Sequence, residues 1–76
     1  MDNRYESLEW SIIHIVSALI RTRNGLAAVL ALIPVEARDI FQDFVANIQE
    51  TIETFEIFLD NLRIAHMTQI LYQMYH

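Results

Sequence analysis

The chain has 76 residues, 54% of them hydrophobic, with one Gly, one Pro and no Cys. This composition excludes a disordered chain and a disulfide or thiolate-metal scaffold, and it disfavours an all-β fold. The net charge is −5 and all five basic residues are Arg, so no basic cluster is offered to a nucleic acid or an anionic membrane surface.

Residues 1–76 read as a single domain, without a linker, internal repeat or low-complexity run. Met1 to Asn3 are expected to fray. Asn3 or Ser7 is a plausible N-cap, with Glu6 or Glu9 in the first turn. The N-terminus lacks the basic flank and cleavage pattern of a secretory signal. The apolar runs Ile12–Ile20 and Leu26–Val35 are each about ten residues, short of the ~20 that span a bilayer. The expectation is a cytoplasmic protein with no membrane span.

A first helix is predicted over about residues 4–33. Its apolar seam steps by fours and threes through Leu8, Ile12, Ile15, Leu19, Thr22, Leu26, Val29 and Ile33, flanked by Ile13, Val16, Ile20 and Leu30. Trp10 lies off this seam, at a boundary. Asn24-Gly25 is a turn signal inside the pattern. The seam keeps its phase across it, and a mid-helix Gly costs only ~1 kcal/mol. One helix through Gly25 is therefore expected; the alternatives are a bend at that point or a break into segments 4–23 and 26–33.

Ile33-Pro34 is the firm turn, because a residue before Pro is pushed out of the α region. A second helix follows over about residues 34–75, with Pro34 in its first turn and Glu36 and Asp39 near its positive end. Its seam is Phe41, Val45, Ile48, Ile52, Phe55, Leu59, Leu62 and His66. A second apolar row, Ile40, Phe44, Thr51, Phe58 and Ala65, widens the face. The phase carries through Asp60-Asn61, so no break is expected there. The predicted fold is all-α: an antiparallel helical hairpin in which residue i faces roughly residue 67−i.

Two features predict a partner. Leu26–Ile33 contains no polar residue, and a helix apolar all round is buried all round. The second helix also exceeds the first by about twelve residues, or roughly 18 Å. That end carries Ile64, Met67, Ile70, Leu71, Tyr72, Met74 and Tyr75. A second copy would cover this surface by forming a four-helix bundle.

No residue pattern demands a reaction. The helical serines Ser7, Ser11 and Ser17 have no base at triad spacing, and there is neither a nucleophile elbow nor a Gly-rich phosphate loop. In the predicted hairpin His14 faces the region of Glu53 and His66 faces the N-terminus, which keeps them apart. Each reads as a buried or boundary His with one hydrogen-bond partner, and no Glu-x-x-His pair is present. Glu36, Asp39, Asp43, Glu50, Glu53 and Asp60 repeat along the outer face of the second helix. They read as a solvated surface ahead of a DNA mimic or a docking site for a basic partner. Arg21 and Arg23 fall near Asp43 and Glu50, where pairing would bear on register.

The expected function is non-catalytic: a small acidic adaptor, inhibitor or chaperone-like regulator that binds itself and a larger protein. Met67, Ile70, Leu71, Tyr72, Met74 and Tyr75 are the candidate partner or dimer surface, since Met adapts to varied partners and Tyr is enriched at interfaces. No cofactor, catalytic residue or metal ligand is assigned. The alternative is a bundle that binds a lipid or other hydrophobic ligand; a His-based metal carrier is the third reading.

Overall fold

The computed structural model describes residues 4–75. Two helices form an antiparallel hairpin: α1 (Arg4–Val29) and α2 (Val35–Tyr75), joined by a short 3-10 segment, Leu30–Leu32. No strand occurs among the described residues. The expected N-cap Asn3, like the fraying of Met1–Asn3, lies outside them.

The turn follows from Pro34. Ile33 is extended (φ −85°, ψ 136°), as a pre-proline residue must be, and its N–H donates to the Leu30 carbonyl. Its own carbonyl accepts a hydrogen bond from Arg38 Nε at 3.2 Å. That bond brings the first turn of α2 back over the end of α1. Ala37 N donates to the Pro34 carbonyl, closing the N-terminal turn.

α1 passes through Asn24 and Gly25 as unbroken helix. Gly25 has no positive φ, and a Cβ placed on it would meet nothing within 4 Å. Five hydroxyls, on Ser11, Thr22, Thr51, Thr54 and Thr68, donate to the carbonyl four residues earlier. The helices thereby absorb these polar groups without an outside partner.

α2 turns its predicted seam inward. Ile48, Ile52 and Leu59 are buried, and Phe41, Val45, Phe55, Leu62 and His66 are half-buried. The second row, Ile40, Phe44, Thr51, Phe58 and Ala65, is exposed. In α1 the seam is rotated from its predicted position. Ile12, Leu19, Leu26 and Ile33 face inward, whereas Leu8, Ile15, Thr22 and Val29 are exposed, and Glu9, Val16, Arg23 and Leu30 take their places. α1 is apolar on both sides of this line, so hydrophobic periodicity alone leaves its rotation open. Glu9 and Arg23 settle it by bonding across the hairpin, to His66 and Gln49.

The register also departs from 67−i. Tyr5 stacks on His66, Arg23 meets Gln49, and Glu9 meets His66, so facing residues sum to about 73. Leu30–Pro34 are used to cross between the helix axes, and pairing begins further along α2. The end of α2 beyond Arg4 is correspondingly shorter than predicted. It comprises Ile70–Tyr75, about 9 Å of helix, in place of twelve residues.

The result is a rod of 62 × 15 × 12 Å with a radius of gyration of 17.9 Å. A compact chain of this length would have about 11 Å. Among the described residues, only Ile12, Ile33, Ile48, Ile52 and Leu59 form a buried core.

Candidate interaction surface

The six predicted surface residues all lie exposed on the last turns of α2, from Ile70 at 40% to Tyr75 at 83%. Helical geometry places Met67, Ile70, Leu71 and Met74 on one face about 100° wide, with Tyr75 beside it. Tyr72 lies apart from them, in the row that runs through Phe44, Phe58 and Ala65. Ile70 continues the flank row of Gln42, Gln49, Glu56 and Arg63, while Met67, Leu71 and Met74 continue the outer rows of α2. Those rows are acidic from Glu36 to Asp60 and become apolar with Ile57, Ile64, Leu71, Met67 and Met74. The outward side of one helix thus changes character along its length.

A second apolar surface runs along one side of the hairpin. Leu8, Ile15 and Val29 of α1 and Phe44 and Phe58 of α2 are each 43–52% exposed, which is flank rather than outer face. In an antiparallel pair of right-handed helices, these two rows fall on the same side. Two surface grooves near the turn agree with that assignment. One, of about 270 Å³, is lined by Leu26, Ile40, Phe41 and Phe44. The other is lined by Ala27, Leu30, Ala31, Arg38 and Gln42 and opens on the opposite side. That opposite flank of α2 carries Gln42, Gln49, Glu56 and Arg63.

Near the open end, His66 Nδ1 lies 3.1 Å from Glu9 Oε1, with side chains 23% and 20% exposed. The His66 ring stacks flat on Tyr5 at 5.1 Å. This cluster ties the two helices together where the hairpin is otherwise free to splay. It explains why a polar residue occupies the last position of the α2 seam. Periodicity pointed to His66 facing the N-terminal segment; Glu9 and Tyr5 carried no signal of their own.

His14 does not meet Glu53. It is exposed on α1 and lies against Trp10, ring centroids 5.9 Å apart, because the shifted register and rotation carry it to the outer face. Among the described residues no three His, Asp or Glu side chains converge on a cation-sized site. Arg21 and Arg23 pair with neither Asp43 nor Glu50. Arg23 Nη1 donates to Gln49 Oε1 at 2.6 Å and its other nitrogens to Asn24 Oδ1; Arg21 is exposed. Gln49 in turn donates to Glu53 at 3.1 Å.

By length and composition alone, Arg4–Leu32 could cross a bilayer. Arg21 and Arg23 sit near the middle of that stretch, where each would cost about 2.5–3.5 kcal/mol in hydrocarbon.

The fold and its exposed rows define a class, a helical hairpin with one exposed apolar flank. The chain matches no family model, no curated protein and no solved structure.

Proposed function

We propose that this protein is a non-catalytic protein–protein interaction module, a small acidic helical homodimer that holds the last turns of α2 out toward a larger protein as an adaptor, inhibitor or chaperone-like regulator. The observation that carries this reading is the change along the outer side of α2. Carboxylates dominate that side as far as Asp60, with Ile57 among them, and beyond it Ile64, Met67, Leu71 and Met74 replace them at the same helical spacing. A solvated end has no use for four large apolar side chains on one face. Met and Tyr, with adaptable or amphipathic side chains, suit a surface that accepts another protein.

The test compares co-purification from the producing cell for the native chain and for a Leu71→Glu/Met74→Glu variant. The reading requires a stoichiometric protein partner that is lost from the variant, with helicity unchanged. A partner set identical for both proteins would contradict it.

The 270 Å³ apolar groove beside Phe41 and Phe44 supports a second reading, a hydrophobic small-molecule or lipid site. Native mass spectrometry distinguishes the two, since a bound lipid adds a defined mass to the purified protein.

A further inference from the structure

The homodimer named above has two candidate faces and several possible symmetries, and the side chains select among them. The chain exposes 6033 Å². A compact monomer of its 8.9 kDa mass would expose about 4,800 Å². The surplus, about 1,200 Å² per chain, is close to one partner's share of an obligate homodimer interface, which buries upward of 2,000 Å² in total.

The apolar flank is built in layers. With facing residues summing to about 73, Val29 is level with Phe44, Thr22 with Thr51, and Ile15 with Phe58. Two layers of one β-branched aliphatic and one Phe therefore lie on either side of a Thr layer. Both Thr hydroxyls are already bonded to backbone carbonyls, Thr22 to Ala18 and Thr51 to Asn47, each at 2.9 Å. The layer can be covered without stranding a donor. Thr51 also stands at the midpoint of the two-helix part of the rod, which runs from the turn to the level of Arg4.

We propose that this flank is the interface with a second copy of the chain, and that the two-fold axis crosses the rods at Thr51, perpendicular to the helices. Phe44 of each copy then packs on Phe58 of the other, Val29 on Ile15, and Thr51 on its own counterpart. The hairpins overlap along their whole paired length. A two-fold parallel to the helices would instead bring both exposed C-terminal ends of α2 to the same end of the assembly. The last turns of α2 project past the partner's turn, one at each end of a longer rod, leaving Leu71 and Met74 clear for another protein.

The native chain has no Cys, so single-Cys variants report geometry directly. Thr51→Cys is expected to form a disulfide-linked dimer under mild oxidation, because the two Thr51 positions meet on the axis. Glu53→Cys, on the outer face, should stay reduced. Mixed Phe44→Cys and Phe58→Cys proteins should cross-link as a heterodimer. Failure of Thr51→Cys to cross-link, with cross-linking between Thr22→Cys and Thr51→Cys proteins instead, would overturn the perpendicular axis, because a parallel axis sets α1 against the partner's α2. A monomer in sedimentation would overturn the interface. So would a monomer that pellets with neutral phosphatidylcholine vesicles, which would assign the flank to a bilayer surface. These outcomes are separable from the partner-binding test, since Leu71→Glu/Met74→Glu leaves the flank intact and must still cross-link through Thr51→Cys.

Discussion

The two broad sides of the hairpin are made by the same helices and differ in almost every respect. One carries Phe44 and Phe58 from α2 and Leu8, Ile15 and Val29 from α1, all close to half-exposed. The other carries Gln42, Gln49, Glu56 and Arg63 from α2, while the α1 residues on that side, Ile13 and Ile20, are partly covered. Both sides border the same core of five residues. The difference shows that a wide apolar helix face serves two contacts. The inner row closes the hairpin and the next row stays half-exposed.

The largest effect should come from putting charge on the apolar side. Phe44→Glu/Phe58→Glu is expected to abolish the dimer at micromolar concentration, whereas Gln42→Glu/Arg63→Ala on the opposite side should leave it intact. Equal loss in both pairs, read by size-exclusion chromatography with light scattering, would erase the distinction between the sides. Next comes the core that the sides share. Ile52 is 2% exposed, and Ile52→Ala should lower unfolding free energy by about 3 kcal/mol in chemical denaturation. A cost below ~1 kcal/mol would mean that the inner row is not the anchor described here. Gly25→Ala goes the other way. Its Cβ meets nothing and its backbone is helical, so stability should rise by about 1 kcal/mol. A loss instead would place another chain against that position. An effect of similar size is expected from Glu9→Ala, which removes the 3.1 Å contact to a part-covered His66 and should cost about 1 kcal/mol. Amide exchange at the open end, compared with exchange near Ile33, would localise that change.

Much of the fold was legible in the sequence, for reasons that particular residues make clear. Pro34 announced the turn because its ring dictates backbone geometry for itself and for Ile33. The α2 seam from Phe41 to His66 was legible because its helical phase has no competing pattern on the other side, where the carboxylates lie. The rotation of α1 was not. Leu8 and Ile15 are as apolar as Ile13, Val16 and Ile20, and the choice is made by Glu9–His66 and Arg23–Gln49, contacts between residues 57 and 26 positions apart. The register was misread by about six residues because the path across the turn, and the return of Arg38 to the Ile33 carbonyl, leave no mark on periodicity. Of the candidate surface, the Met and Tyr residues near the C-terminus were visible as composition. The flank through Val29 and Ile15 emerged only once α1 had been turned.

Sedimentation equilibrium on the native chain at micromolar concentration bears on all of this at once. The account predicts a single species of twice the 8.9 kDa chain mass. A stable, fully helical particle of one chain mass, with the Phe44 and Phe58 side open to water, would contradict it.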